Sequence, residues 1–368
     1  MLPLLLLTCV LGVAFWNGAN DVSKGIATLV GSGVARFRGA VIWGVAWTAV
    51  GGLAATFAAH GLVQAFTGGG IIARLPTDAA FLFGVPAGAL AWIALATRTG
   101  LPVSTTHAII GALIGAGLAS AGAKGINWQP LGQRFLLPLA LSPLLSLALV
   151  FAAFPLLNGA FGWLRHYCVC VKRGALGLTF QRDGSAALAS APALIVSESE
   201  SCECAAPAVR QLNLMDAMHW LTAGATSFAR GLNDTPKIVA LGIAASATLA
   251  IPAGAGFVLV TIAMALGGLL AGLRVTETLA RKVTAMSPGE GFAANLVTSL
   301  LVIAASWFAL PVSTTHVSSG AIIGLGLHRR GEGVRWRTVF EMALAWLVTL
   351  PVAAVIAAAV YLLLRRVG

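Results

Sequence analysis

Two short polar motifs interrupt apolar stretches of the sequence. The first runs from Asn17 to Lys24 (Asn-Gly-Ala-Asn-Asp-Val-Ser-Lys), and the second runs from Arg230 to Lys237 (Arg-Gly-Leu-Asn-Asp-Thr-Pro-Lys). Each contains an Asn-Asp pair with a lysine three residues after the aspartate. Ionised side chains surrounded by lipid are unfavourable unless they are paired or hydrated, so in apolar segments they indicate a functional site. An acid, an amide and an amine in one motif can together bind small ions.

A second duplicated element is Leu-Pro-Val-Ser-Thr-Thr-His, at positions 101–107 and 310–316. Proline followed by hydroxyl residues is typical of a helix start. A helix start offers unpaired N–H groups and a positive dipole end, which together favour an oxyanion. We therefore expect two converging helix starts to bind one tetrahedral anion; the alternative is that the hydroxyl groups only cap and pack buried helices. The candidate ligands are Ser104, Thr105, Thr106, Ser313, Thr314 and Thr315.

Composition places these motifs in a membrane. The chain has 368 residues, of which 58% are hydrophobic and 10% are charged. Soluble domains are about 25% charged, so we predict an all-α polytopic membrane protein. The net charge of +11 is spread over short loops, which argues against a nucleic-acid partner. The apolar start lacks a basic region, so we expect a helix there and not a signal peptide.

Apolar runs of roughly 20 residues predict ten helical segments. We expect the two helices that carry the Asn-Asp motifs to be broken there, because Gly18, Gly231 and Pro236 disfavour helix. The segments that begin at Val103 and Val312 are short enough to be re-entrant half-helices. The predicted segments are Leu2–Val34, Gly39–Ala59, Ala79–Thr97, Val103–Ser120, Phe135–Leu157, Leu214–Ser246, Leu249–Gly272, Gly291–Leu310, Val312–Leu327 and Val339–Leu364.

The spacing of the motifs indicates a tandem duplication. Asp21 and Asp234 lie 213 positions apart, and His107 and His316 lie 209 apart. With about five segments in each half, the halves have inverted topology. We predict a first repeat at 1–162, a connecting loop at 163–210 and a second, inverted repeat at 211–368.

The distribution of basic residues predicts the orientation. We expect the protein to lie in the cytoplasmic (inner) membrane with both termini on its outer side. Fifteen Lys and Arg residues then fall in the cytoplasm and five outside, as the positive-inside rule requires. The connecting loop is then cytoplasmic. It holds two Cys-x-Cys pairs, Cys168 with Cys170 and Cys202 with Cys204. Four reduced thiols there could bind Zn²⁺; the alternative is a plain polar loop, since the spacing differs from usual zinc motifs.

The two Asn-Asp motifs and the two Leu-Pro-Val-Ser-Thr-Thr-His segments resemble the inorganic phosphate transporter (PiT) family, over nearly the whole chain and in the same order. The resemblance implies secondary transport of inorganic phosphate, driven by Na⁺ or H⁺, through an inverted-repeat fold. It implies that Asp21, Asp234 and the Ser-Thr-Thr runs belong to the substrate region, and that Asn20 and Asn233 belong to the cation region.

One departure from the family pattern concerns the lysines. The family usually has asparagine at the position of Lys24, and Lys237 repeats the change in the second half. An ammonium three residues after a carboxylate shares its helical face. Each lysine could therefore simply neutralise a buried aspartate, or it could occupy the place of a coupling sodium ion and so weaken sodium dependence.

Selectivity depends on the aspartates. HPO₄²⁻ has an O–H group that can donate to a carboxylate, whereas SO₄²⁻ has none, and unmatched hydrogen bonds discriminate strongly between similar ligands. Direct contact of Asp21 and Asp234 with the anion therefore favours phosphate. If Lys24 and Lys237 occupy both carboxylates, the alternative is a transporter of another tetrahedral oxyanion such as sulfate.

Other functional classes fit the sequence less well. An intramembrane aspartyl protease does not require the duplicated helix starts, and Ser-Thr-Thr-His lacks the third group of a hydrolytic triad. We therefore predict a carrier, with a channel as the nearest rival, and no enzyme or bound cofactor. His107 and His316 could relay protons or only pack, and Arg230 could face the anion or the lipid interface. The expected partners are phosphate and the bilayer, with a homodimer allowed for.

Overall fold

A computed structural model gives the fold of this chain; it describes residues 1–68, 70–172, 177–180, 186–189, 193–198, 212–331 and 333–367. Most of these residues are helical. The helices of the N-terminal half are α1 (Leu2–Asp21), α2 (Ser23–Gly31), α3 (Phe37–Ala58), α4 (His60–Phe66), α5 (Ala79–Thr99), α6 (Thr105–Ala121), α7 (Trp128–Pro130) and α8 (Leu137–Phe161). Those of the C-terminal half are α9 (Leu214–Thr248), α10 (Ala253–Ala271), α11 (Leu273–Arg281), α12 (Pro288–Trp307), α13 (Thr314–His328) and α14 (Trp336–Val367).

Each of the ten predicted segments coincides with an observed helix or, at the N-terminus, with α1 and α2 together. Within the described ranges, seven helical stretches are long and apolar enough to cross a membrane. The other three predicted segments, in α6, α9 and α13, are not among these seven, for two physical reasons. Helices α6 and α13 have only 17 and 15 residues, and α9 carries Arg230, Asp234 and Lys237 in its middle.

The Asn-Asp motifs interrupt their helices less than predicted, with a one-residue irregularity at the first motif and none at the second. Helix α9 continues through the second motif despite Pro236, and between α1 and α2 only Val22 intervenes, with helical φ and ψ angles. The glycines serve close packing instead. A Cβ atom on Gly18 would lie 1.9 Å from the carbonyl oxygen of Met264, and one on Gly231 would lie 2.2 Å from that of Thr48.

The two halves pack against each other reciprocally. Helix α1 packs on α10 while α9 packs on α3, and α6 packs on α14 while α13 packs on α8. The last two contacts use equivalent G-x-x-x-G pairs at 111/115 and 320/324, which let backbones approach closely. Each half therefore packs a helix against the other half in the same way, and both halves share one core.

The described residues of the connecting segment include β-strands, which the prediction of a polar loop did not foresee. Strand β1 (Tyr167–Lys172) pairs antiparallel with β4 (Ala193–Glu198) and with β5 (Leu212–Asn213). Strands β2 (Gly177–Phe180) and β3 (Ala186–Ala189) pair with each other.

Candidate functional site

Asn17 lies at the centre of a buried polar cluster. Its Nδ2 atom donates to Thr105 Oγ1 at 2.9 Å and to Asp21 Oδ2 at 3.1 Å, and it lies 3.5 Å from Asp234 Oδ2. One amide thus connects the carboxylates of both Asn-Asp motifs with the start of α6. The structure therefore brings together the two motifs that lie 213 positions apart in the sequence.

The first motif holds its lysine with its own residues. Lys24 Nζ contacts Asp21 Oδ1 and donates to the carbonyl oxygen of Asn20 at 3.0 Å and to Asn20 Oδ1 at 2.8 Å. Asn20 also anchors the segment that precedes α6, since its Oδ1 accepts from the N–H of Val103 and its Nδ2 donates to the carbonyl oxygen of Leu101. Lys24 is 1% exposed, so solvent contributes almost nothing to its stabilisation.

The second motif holds its lysine with residues from both halves. Lys237 Nζ lies 3.3 Å from Asp234 Oδ1, and it donates to Thr106 Oγ1 at 2.8 Å and to the carbonyl oxygen of Val312 at 2.9 Å. Asn233 Nδ2 donates to the same carbonyl at 3.3 Å. This lysine therefore ties α9 to the starts of both α6 and α13.

The three hydroxyl residues of each Ser-Thr-Thr run have different roles. Ser104 and Ser313 are the N-caps of α6 and α13 and accept from the N–H groups of residues 107 and 316. Thr106 donates to the carbonyl oxygen of Val312, and Thr315 donates to that of Val103.

The remaining pair, Thr105 and Thr314, lies towards the centre. Thr105 accepts from Asn17, and Thr314 Oγ1 lies 3.5 Å from Asp234 Oδ2. The first N–H groups of α6 and α13 have no acceptor within their own helices, so each helix start directs donors towards the carboxylates.

Arg230 is buried in the cluster and does not reach the interface. Its exposure is 1%; one terminal nitrogen donates to Asn17 Oδ1 and the other to Thr48 Oγ1, each at 3.3 Å. Its Nε atom has no hydrogen-bond partner among the described residues. The described ion pairs of this cluster join each aspartate to a lysine, and Arg230 forms none.

The electrostatic balance of the cluster is therefore positive. Three cations, Lys24, Lys237 and Arg230, are buried with two carboxylates, which leaves one positive charge when all five groups are ionised. The other Asp, Glu, Lys or Arg described as buried is Glu290, which pairs with Arg329. A buried charge without a counter-charge is strongly unfavourable, so the arrangement favours an anion beside Arg230.

The two predicted histidines stack on each other next to the cluster, with ring centroids 4.5 Å apart. His107 Nδ1 lies 2.9 Å from Ser104 Oγ, and His316 Nδ1 lies 3.4 Å from the carbonyl oxygen of Leu139. These contacts hold the His107 ring against the start of α6 and the His316 ring against α8, and the role of the histidines in proton transfer stays a prediction.

The predicted cysteine site is only partly covered by the structure. Cys202 and Cys204 lie outside the described residues, and of Cys170 only the backbone of β1 is described. Cys168 is disulfide-bonded, contrary to the expectation of reduced thiols. Among the described residues, no group of three His, Cys, Asp or Glu side chains is arranged to hold a metal ion, and zinc has no support here.

Sequence reasoning missed several residues that complete the cluster. Thr48 and Thr97 each accept from a motif side chain, and Ser306 donates to Asn233 Oδ1. A single threonine or serine in an apolar helix resembles a packing residue, so no pattern distinguished them. Asn17 belongs to the first motif, and a polar amide in an apolar run could have identified it as a residue of the cluster.

The chain is similar to known proteins over nearly its whole length. The sequence profile of the phosphate transporter family matches residues 17–357. A Rhizobium meliloti (strain 1021) protein named "Probable low-affinity inorganic phosphate transporter" is 32% identical over 354 residues, covering 94% of this chain and 92% of its own. A Bacillus subtilis (strain 168) protein of the same name is 27% identical, covering 100% and 98%.

The fold also matches a solved structure. A chain described as "The sodium-dependent phosphate transporter" superposes with a TM-score of 0.80 at 24% identity, with full coverage of both chains. This similarity confirms the predicted helical membrane fold, although it does not test whether the two repeats are inverted. The family profile spans both Asn-Asp motifs and both Ser-Thr-Thr helix starts, and this chain belongs to the phosphate transporter family.

Proposed function

We propose that this protein carries inorganic phosphate across the cytoplasmic membrane as a secondary transporter coupled to a cation, Na⁺ or H⁺. The observation that supports this most directly is the guanidinium of Arg230, which is buried without a carboxylate partner and contacts Asn17, the residue that also donates to Thr105 at the start of α6. Arginine forms strong charge-assisted hydrogen bonds with phosphate oxygens because its donors form a planar fork. A phosphate next to Arg230 would supply the missing negative charge.

The anion-binding groups in this proposal come from four elements. Arg230 and Asn17 face each other across α9 and α1, while Thr105 and Thr314 begin α6 and α13. Free N–H groups of the two helix starts add donors. Ser104, Thr106, Ser313 and Thr315 act one step away, because their hydroxyl groups hold the helix starts in position.

Both aspartates keep one oxygen directed to this centre. Oδ1 of Asp21 and of Asp234 contacts a lysine, whereas Oδ2 of each lies near Asn17. A carboxylate oxygen there can accept from the O–H of phosphate, and sulfate cannot donate in return. The names of the relatives, which mention phosphate, support the same substrate. Phosphate is therefore favoured over sulfate.

The proposed organisation follows from the duplication. Residues 1–162 and 211–368 form the two repeats, inverted relative to each other, and 163–210 connects them in the cytoplasm, with both termini outside. The reciprocal helix contacts support this arrangement, because equivalent surfaces of the two halves meet in one core. The substrate site then lies where the repeats meet.

The test is uptake of radiolabelled phosphate by purified protein in liposomes. Asp21→Asn and Asp234→Asn should each lower uptake by about 100-fold, since the acceptor for the phosphate O–H and the partner of a buried lysine are both lost. Glu341→Gln is the matched control, because Glu341 pairs only with Arg337 on an exposed surface, and its uptake should not change.

Competition identifies the substrate. Unlabelled phosphate and arsenate, both of which carry an O–H, should compete with the label, whereas sulfate should not. Normal uptake by both aspartate variants would contradict the assigned site. Inhibition by sulfate as strong as by phosphate would show that the carboxylates do not select the anion.

A further inference from the structure

Both lysines of the motifs are surrounded by oxygen atoms. The ammonium of Lys24 contacts a carboxylate, a side-chain amide oxygen and a backbone carbonyl. The ammonium of Lys237 contacts a carboxylate, a hydroxyl and a backbone carbonyl. Each shell therefore has three oxygens with one formal negative charge, and solvent is absent because both side chains are at most 1% exposed.

Such a shell is suited to a hard metal cation. Carboxylate, carbonyl and hydroxyl oxygens are the ligands of hard cations, and rings of carbonyls replace the hydration shell of alkali ions in channels. The oxygens here are held independently of the lysines. Asn20 is fixed by hydrogen bonds to Thr97 and to the 101–103 segment, and the carbonyl of Val312 also accepts from Thr106 and Asn233.

We propose that Lys24 and Lys237 take the place of two bound alkali cations, so that this protein moves phosphate without sodium. The inference rests on the proposed phosphate transport and adds its coupling. Because the ammonium is covalently attached to the side chain, it cannot leave the site as a bound sodium ion would. A sodium gradient then has no ion to move at these two positions.

The charge balance of the site supports this step. Two lysines and Arg230 against two aspartates leave one positive charge. Singly charged H₂PO₄⁻ brings the loaded site to neutrality, so no further cation is needed to accompany it. Each phosphate that crosses as H₂PO₄⁻ carries one proton more than HPO₄²⁻, so transport of this species is linked to the proton gradient.

The decisive measurement compares phosphate uptake by liposomes in sodium buffer and in choline buffer at the same ionic strength. The unaltered protein should take up phosphate equally in both. Lys24→Asn and Lys237→Asn each remove an ammonium and leave the oxygen shell free for a metal ion. Uptake by these variants should fall in choline and recover about tenfold in sodium, within the usual range for coupling between two sites.

Two sets of controls separate a cation site from a packing effect. Lys24→Met and Lys237→Met fill the same space without charge, so sodium should not restore their uptake. Lys124→Asn alters an exposed lysine and should behave like the unaltered protein. In addition, sodium should raise the unfolding temperature of the purified asparagine variants and leave that of the unaltered protein unchanged.

The outcomes separate this inference from the proposed function. If the unaltered protein takes up phosphate in neither buffer, the proposed phosphate transport is refuted. Uptake only in sodium buffer would preserve phosphate transport and overturn the role of the lysines. Failure of sodium to restore folded asparagine variants would also overturn it; if those variants do not fold, the comparison of buffers with the unaltered protein still decides.

Discussion

The two Asn-Asp motifs hold equivalent lysines in different ways. Lys24 is bound entirely by its own motif, through Asn20 and Asp21, whereas Lys237 is bound partly by Thr106 and Val312 at the two helix starts. The first lysine therefore makes no direct contact with the helix starts and is linked to one of them only through Asn20. The second depends on their position, so the duplication has produced one local site and one site that joins the halves.

The motifs also differ at their first residue. Asn17 and Arg230 occupy the same place, 213 positions apart, and they contact each other at 3.3 Å. The Asn17 amide links the two carboxylates. The Arg230 guanidinium carries the one positive charge that remains after the two lysines have balanced the two aspartates. Two arginines would leave two positive charges and two asparagines would leave none. The difference between the copies therefore sets the charge of the site.

Making the two copies alike should have the largest effect. Arg230→Asn should weaken phosphate binding by at least about 30-fold, because removal of one partner of a buried charged contact costs about 2–5 kcal/mol. Arg230→Lys should restore part of the affinity, since it keeps the charge and loses the planar fork. Isothermal titration with phosphate measures both. Unchanged affinity in Arg230→Asn would show that the guanidinium does not face the anion.

A smaller difference is expected in the packing of the two short helices. A Cβ atom at Gly115 would lie 1.9 Å from the carbonyl oxygen of Ala354, whereas one at Gly324 would lie 2.6 Å from that of Leu147. We expect Gly115→Ala to destabilise the protein by about 3 kcal/mol and Gly324→Ala by about 1–2 kcal/mol, as overpacking does. Thermal unfolding in detergent measures this.

The matched control for these variants is Gly159→Ala, because a Cβ atom at Gly159 would contact nothing within 4 Å. Alanine is the better helix former, so its stability should be equal or slightly higher. Equal loss in Gly115→Ala and Gly324→Ala would show that the two interfaces tolerate the same spacing.

The smallest effect concerns the residue before each Leu-Pro-Val-Ser-Thr-Thr-His segment. Gly100 and Ala309 are equivalent, and both have a positive φ, at 78° and 53°. Alanine is strained in this conformation whereas glycine is not. Ala309→Gly should therefore stabilise the protein by about 0.5–1 kcal/mol, and Gly100→Ala should destabilise it by about 1–2 kcal/mol. The shift in unfolding midpoint, with opposite signs, is the measurement.

Much of the helical frame could be predicted from hydropathy. The predicted start of α9 at Leu214 agrees with the structure, and the predicted α3 differs by two residues at its start and one at its end. Helices α4 and α11 were missed because seven and nine residues are too short to stand out as apolar runs. The predicted break at the second motif failed, and the one at the first motif is limited to Val22, because glycine permits a helix as well as a turn and neighbouring backbones decide between them.

The convergence of the four motifs could be predicted from their duplication, but their internal division of labour could not. The repeated Ser-Thr-Thr sequence does not predict the role of each residue. Ser104 caps α6, Thr105 contacts Asn17 beside the carboxylates, and Thr106 donates to Val312 in the other half. That division depends on the direction of each side chain at a helix start, which requires coordinates. The strands of the connecting segment were also missed, because its Ser, Ala and Gly residues and its glutamates indicated a polar loop.

The crossed hydrogen bonds at the helix starts restrict how the protein can move. Thr106 donates to Val312 and Thr315 donates to Val103, at 3.2 and 2.8 Å. Separating α6 from α13 would break both at once and leave the Thr315 hydroxyl and the Val103 carbonyl without the partners described for them, away from water. The helix starts must therefore travel as one block. Access from either side of the bilayer then opens by displacement of the surrounding helices, with the gates located outside the binding centre.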